Sequence, residues 1–479
     1  MEMKKSAFSY LEPLYLETRV FEQAQELRVP EGMPDAEKIL GVWGQSVLRS
    51  KDWRTDTVGF NAGMLLWVLY ETEDGSSPRM LEGWVPIQGK WTLPQETPEG
   101  KLLLDLTPAF LDGRIVSPRK IMVRCGLGAT VQALSPAEGT QYAPEQLPED
   151  IYTLEHTVPL LLYAEAGEKT FQMEETLGEE KPLCYAVRWN LTDQKVVGNK
   201  LAFRGNIELQ VLLDGQTPES REFQFPFSQI AELDQTYGSL AQSELTLCVT
   251  SLETEGETLK LGLTAQYAIA DRMTLHTLTD AYSNRRPVEL TVEEAFFPAI
   301  LDSRWENVPC RGKLPENVPG ATQITAWTDP VGVKRREEGT LLSAQGSAQL
   351  LWEGEKGLLG LQTPLEGERL LKTDGEVTVT ASQAGKPLPD LSGGGGISCE
   401  VRCHVVTLSR EGIPQVTGLE LGEITPPDPD RPSLILCRAE KKDLWTLAKE
   451  TGSSVEAIQK ANGLEGEPPQ GKMLLIPIA

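Results

Sequence analysis

The sequence predicts a mainly β protein: three tandem antiparallel β-sandwich-like domains at roughly 11–138, 152–282 and 286–421, a Pro-rich linker at 422–433, and a small β-α-α-β domain at 434–479. Three observations carry this prediction. Short apolar or alternating runs fill the chain as far as residue 421, with Gly, Pro and Asp punctuating them at close intervals. The same order of runs recurs with a period of about 140 residues, which is the size of a whole domain and larger than a solenoid unit. Beyond residue 433 the periodicity changes to a helical one between two short apolar strands.

The strand reading starts from runs such as Leu102-Leu103-Leu104-Asp105-Leu106, Glu244-Leu245-Thr246-Leu247-Cys248-Val249 and Glu376-Val377-Thr378-Val379-Thr380. Only a few stretches, such as Ala36–Leu40, have the pattern of a helical turn. The repeat is clearest in Phe60-Asn61-Ala62-Gly63-Met64-Leu65-Leu66-Trp67-Val68-Leu69-Tyr70. It returns as Phe203–Leu213 and again as Leu342–Trp352. A proline-centred strand follows each copy: Trp84-Val85-Pro86-Ile87, Phe225-Pro226-Phe227 and Thr363-Pro364-Leu365. Proline lacks the N–H a central strand needs, so these runs are expected at sheet edges or bulges. Each repeat then closes with a hairpin-like pair, as in Leu102–Leu111 with Lys120–Ala133. The glycine run Gly393-Gly394-Gly395-Gly396 falls at the corresponding turn of the third copy and reads as a loop.

The linker, Thr425-Pro426-Pro427-Asp428-Pro429-Asp430-Arg431-Pro432, can form neither a helix nor a central strand and is expected to act as a semi-stiff spacer. After it, Leu434-Ile435-Leu436 and Met473-Leu474-Leu475-Ile476-Pro477 are short strands. Asp443 stands where an N-cap belongs, ahead of the stripe Leu444, Leu447 and Ala448, and Gly452 ends that helix. Ser454 caps a second helix with the stripe Val455, Ile458 and Ala461, which stops at Asn462-Gly463. Helices this short are not stable alone and must pack on the two strands.

This segment resembles the LysM domain. The matching residues are Asp443–Lys449, Thr451-Gly452, Val455-Glu456-Ala457-Ile458, Lys460-Ala461-Asn462-Gly463-Leu464 and Gly471–Pro477. A sugar-holding LysM domain usually carries Gly-Asp-Thr where this chain has Lys441-Lys442-Asp443. Without that glycine the backbone approaches a ligand less closely, which turns the expectation from sugar toward protein. Upstream, Gln25-Glu26-Leu27-Arg28-Val29-Pro30-Glu31-Gly32-Met33-Pro34-Asp35 with Ala36–Val42, then Ser117–Cys125 and Asp280-Ala281-Tyr282-Ser283, resemble the SPOCS domain of spore-forming Firmicutes. The second and third repeats lack the Pro-Glu-Gly-x-Pro-Asp segment and follow the pattern by strand order. The resemblance implies a sporulation adaptor of the mother-cell cytoplasm. Such an adaptor binds the ATPase that forms the basement layer of the spore coat and helps coat layers encase the forespore, with other coat proteins as further partners.

Composition limits the alternatives. Lys+Arg 45 against Asp+Glu 70 gives a net charge of −25, which argues against a nucleic-acid backbone or an anionic membrane as partner. Residues 434–479 hold six basic and six acidic residues, so the acidity lies wholly upstream. Seven scattered cysteines without framework spacing, and a beginning without an apolar signal core, are expected of a cytoplasmic chain. His156, His276 and His404 lie far apart in sequence with no catalytic motif around them, so no enzyme is expected. Cys399 and Cys403 would share a strand face but stand roughly 13 Å apart at ~3.3 Å per residue, too far for two ligands of one metal ion. No glycine-rich phosphate loop opens a helix, so neither a metal nor a cofactor is expected.

Binding is therefore expected on the C-terminal domain. Trp445 lies about 100° around the helix from Leu444 and should flank the core, half exposed, as an anchor for a protein partner. Leu434 and Ile435 would extend its patch, with Lys441 and Lys442 as a polar rim. The runner-up is a carbohydrate-binding domain that holds N-acetylglucosamine chains between the loop at Asp443 and the Asn462-Gly463-Leu464 turn.

Overall fold

Alternating apolar positions become long antiparallel strands, and the strand that opens each stretch of chain pairs with the one that closes it. In the computed structural model the described residues are 3–144, 147–178, 182–214, 219–314, 323–355, 357–390, 395–409, 411–426, 431–439, 442–469 and 471–478. In the first segment β1 (Met3–Arg28) pairs along its whole length with β6 (Lys120–Pro144). Between them β2 (Ala36–Arg54), β3 (Thr57–Thr72) and β4 (Arg79–Thr92) form a meander, and β5 (Lys101–Ser117) adds to β6. The second segment repeats the plan. Its β7 (Ile151–Thr176) pairs with β11 (Thr258–Ser283), β8 (Pro182–Leu213) with β9 (Glu219–Tyr237), and β10 (Gln242–Glu255) with β11.

In the third segment the long opening strand is cut in two at Phe297-Pro298-Ala299, where proline removes a backbone donor. Accordingly β12 (Val288–Phe296) and β13 (Ile300–Lys313) come first, followed by β14 (Gln323–Thr328), β15 (Gly332–Arg336), β16 (Gly339–Gly354) and β17 (Gly357–Leu371). Then come β18 (Glu376–Ala384), β19 (Leu388–Asp390), β20 (Gly396–Leu408) and β21 (Gly412–Leu421), with β12 paired to β21 and β13 to β20. The chain ends with β22 (Leu434–Arg438), α1 (Leu444–Thr451), α2 (Val455–Asn462) and β23 (Met473–Pro477).

Two local expectations change. Ala36–Leu40 is the start of β2 and not a helical turn, because Ala36 and Ile39 pair with Thr72 and Tyr70 of β3. Of the proline-centred runs, those in β4 and β9 lie on sheet edges, whereas β17 is flanked by both β16 and β13. The interior place is tolerated because on β17 the described pairing with β13 is confined to Glu366 and Gly367, just past Pro364. In the glycine run, Gly393 and Gly394 lie outside the described residues, Gly395 has φ +63° and Gly396 begins β20.

The apolar cores do not stop at segment boundaries. One cluster joins Trp43 and Trp67 of the first segment to Leu209 and Val211 of the second and Leu351 of the third. Another joins Leu134, Tyr163, Ala268, Ile300 and Val406, again from all three. The six-stranded sheet also crosses a boundary, where Leu11 of β1 pairs with Tyr163 of β7. At Gly360 the backbone of β17 lies so close to β2 that a Cβ would overlap the Leu40 carbonyl oxygen.

Polar groups bind the same junction. The buried Gln266 side chain on β11 hydrogen-bonds Leu104 of β5 in both directions, accepting from its N–H at 3.0 Å and donating to its carbonyl at 2.6 Å. Next to it the buried Asp105 carboxyl on β5 accepts from the Ser382 N–H of β18 at 2.9 Å and the Thr246 hydroxyl of β10 at 3.3 Å. One side chain thus contacts all three segments. Burial pushes the Asp105 carboxyl up to about 7, and burial likewise pushes Glu244, which accepts from Tyr163, up to about 7.

Two outcomes are expected. Gly360→Ala should destabilise the fold by about 3 kcal/mol, read as a lowered denaturant midpoint, and an unchanged midpoint would contradict the close approach. Asp105 and Glu244 have raised folded-state values, so their contribution is complete below about pH 4 and is lost as pH rises to about 7. Asp105→Asn combined with Glu244→Gln should therefore flatten the fall in unfolding midpoint across this window, a difference on the order of several kcal/mol.

Candidate functional site

The C-terminal segment builds its own small core from local signals. The Asp443 carboxylate accepts from the Thr446 N–H at 2.7 Å and starts α1, and Gly452, at φ 66°, ends it. The Ser454 hydroxyl accepts from the Ala457 N–H at 3.1 Å and starts α2, which Gly463 ends at φ 60°. Strands β22 and β23 pair antiparallel from Leu434↔Pro477 to Arg438↔Met473. Leu444, Leu447, Ala448, Ile458, Leu474 and Ile476 fill the space between helices and strands.

That core also contains Tyr282 of β11, so the segment is docked on the body. Trp445, half-buried, is the centre of the contact. Its indole N–H donates to the Asp280 carboxylate at 2.8 Å, and its ring meets Tyr282 edge-on with centroids 4.9 Å apart. The Lys449 ammonium lies 2.7 Å from Asp280, and the Tyr282 hydroxyl donates to the Ser453 carbonyl at 2.9 Å. Burial raises the Tyr282 phenol, and Tyr152 stacks on its ring. At the end of the linker the Arg431 guanidinium donates to the Thr451 carbonyl at 2.6 Å. The linker does not hold the segment at a distance, although its middle, 427–430, lies outside the described residues. Trp445 is an anchor, but the surface it meets belongs to its own chain.

The other expected partner-binding residues separate. Leu434 is 51% exposed and points outward, whereas Ile435 faces the small core. Lys442 pairs with Glu450 on α1 at 2.7 Å, and Lys441 lies outside the described residues. Three further residues join Leu434 on the outer sheet face: Leu436, 62% exposed, Met473, 49%, and Leu475, 40%. Leu436 stands directly opposite Leu475, so these side chains form a continuous apolar strip. The signal was present in Leu434-Ile435-Leu436, which is apolar on both faces of a strand that can bury only one.

The residues of the sugar reading are engaged internally. The Asp443 carboxylate caps α1, and the Asn462 amide bonds the Leu475 carbonyl at 2.6 Å and N–H at 2.8 Å. The Leu464 N–H donates to the Gln459 carbonyl, and Gly463 supplies the left-handed turn. Between the two loops, Glu467 accepts from the Leu444 N–H at 3.0 Å. These bonds hold the segment together.

Elsewhere, Cys399 and Cys403 lie in the apolar core of the third segment, where burial pushes both thiols up to about 12. Among the described residues no group of three or more His, Cys, Asp or Glu is placed to hold a metal ion. His156 and His276, distant in sequence, become diagonal neighbours through the Thr157↔His276 pairing of β7 and β11, on opposite faces. His404 and Ser303 border a cleft of about 420 Å³, with His404 Nε2 3.2 Å from the Ser303 hydroxyl. Its Nδ1 meets Thr380 at 2.8 Å where a catalytic triad needs a carboxylate, and burial lowers the ring to about 4. The pair can hydrogen-bond, and Thr380 stands at Nδ1 in place of a carboxylate. No described helix is long and apolar enough to cross a membrane.

No protein-family model, curated protein or solved structure matches this chain.

The docking contact makes a direct prediction. Asp280→Ala removes the acceptor shared by Trp445 and Lys449, and should raise amide exchange in α1 about tenfold while the β1–β6 pair is unaffected. Unchanged exchange in α1 would show that Asp280 does not hold the segment down.

Proposed function

We propose that this protein is a non-enzymatic adaptor whose C-terminal LysM-like segment captures a protein partner through its exposed apolar sheet face. The observation that carries the proposal is the strip of Leu434, Leu436, Met473 and Leu475, four large apolar side chains left in water on a sheet of two strands. Apolar surface gathered at one place on an otherwise strongly acidic chain marks a contact site more than a scatter of single residues does. The commitment of Asp443 and Asn462 to internal bonds favours a protein over a glycan. In this reading residues 11–138, 152–282 and 286–421 are three copies of a SPOCS-like β-sandwich-like unit that carry the segment. The partner implied by the resemblance is the ATPase of the spore-coat basement layer. The place of action is the mother-cell cytoplasm at the forespore surface, where the adaptor would help coat layers encase the forespore.

The test is co-purification of that ATPase with the full chain and with Leu436→Lys combined with Leu475→Lys. The charged pair should weaken capture at least about tenfold, because the core residues lie on the other face of the same strands and the segment stays folded. Retained capture by the charged variant would overturn the assignment of the face. Saturable binding of chitin oligomers to the full chain would favour the carbohydrate reading.

A further inference from the structure

Two exposed strands of the third segment are complementary to each other and belong to different sheets. Strand β15 pairs on one side with β16, and among the described residues no strand covers its other edge. All five of its residues, Gly332-Val333-Lys334-Arg335-Arg336, are exposed. Among the described residues strand β12 pairs with β21 alone, and its run Thr291-Val292-Glu293-Glu294 is exposed, as is Phe296. None of Lys334, Arg335, Arg336, Glu293 and Glu294 forms an ion pair among the described residues. The carboxylates Glu337 and Glu338 occupy the turn after β15 and reduce the positive charge of that tip without pairing with the strand's cations.

Charged residues on an open edge ordinarily prevent strands from pairing with their own kind. Here they do so selectively. Two β15 edges repel each other, and so do two β12 edges, but β15 against β12 is attractive. An antiparallel alignment puts Glu293 opposite Arg336 and Glu294 opposite Arg335. Continuing that register sets Phe296, 63% exposed, opposite Val333, 41% exposed. Successive residues of a strand point to opposite faces, so each face of the new pair receives one ion pair. The Phe296–Val333 contact lies beside the Glu294–Arg335 pair on one of them.

We infer that this protein associates with a second copy of itself by edge-to-edge pairing of β15 with the partner copy's β12. The contact uses a different patch on each copy, so repetition yields a closed ring where the rotation between copies closes and an open chain of molecules where it does not. A single junction of one short strand is small and weak in dilute solution. It gains strength when copies are held together on a common support. This association does not depend on the adaptor reading, because neither strand belongs to the C-terminal segment.

The experiment is sedimentation velocity of the full chain over a concentration series at low and high salt. Association is expected at low salt and should weaken at least about tenfold at high salt, since the ion pairs are solvent-exposed. Glu293→Arg with Glu294→Arg should abolish it, and so should Arg335→Glu with Arg336→Glu; all four positions are on the surface. Mixing the two variants should restore association, because the unaltered β15 of the first then meets the unaltered β12 of the second, and the two reversed strands are complementary as well. A chain that stays monomeric at low salt, association that survives either double variant, or a mixture that fails to recover would each overturn the inference.

Discussion

The contact between Gln266 and Leu104, with Asp105 beside it, is the constraint around which the three segments are arranged. A buried backbone N–H and carbonyl must be paired, and a primary amide satisfies both at once, much as a neighbouring strand would. By using a side chain for this purpose, β11 attaches itself to β5 without entering the same ladder position. The Asp105 carboxyl then ties β10 and β18 to the same spot. Around these bonds the apolar clusters have no reason to end where a segment ends, since the polar groups that would interrupt them are already satisfied. Removing one such partner leaves the other buried and unpaired, so the junction is stiff against partial opening.

The placement of the C-terminal segment follows from the length of the β7–β11 pair. That pair runs past the shared core, and its far end presents Asp280 and Tyr282 to the first helix of the segment. The contact engages the Trp445 side of the helix, and leaves the outer face of β22 and β23 turned to solvent. In this arrangement Trp445 positions a surface without forming part of it. The linker needs to span only from β21 to the docked segment, and Arg431 joins the contact at its end.

Much of the molecule was legible because its causes are local. The caps Asp443 and Ser454, the stops Gly452 and Gly463 and the helical stripes each depend on residues within one turn, and each appears in the structure as the spacing implies. The strand order and the closing pair of each segment follow from alternating runs and turn residues. Ala36–Leu40 misled because a short apolar pattern cannot distinguish a helical turn from a strand, and pairing with β3 decided the matter. For Trp445 the helical wheel was right about partial burial and silent about what it met, because Asp280 lies 165 residues away. Leu436, Met473 and Leu475 did not figure in the expected patch because it ran through the adjacent Leu434 and Ile435, whereas a strand exposes alternate residues.

The sequence by itself determined the β character of the chain, the repeated order of its strands and the β-α-α-β order of its end. These follow from dihedral preference, side-chain period and missing backbone donors, which act over a few residues. Only the tertiary structure decided that cores from three segments merge, that Asp105 sits where they meet, and that Trp445 faces its own chain. Those outcomes depend on which distant groups arrive at one place, and neither alternation nor capping carries information about that.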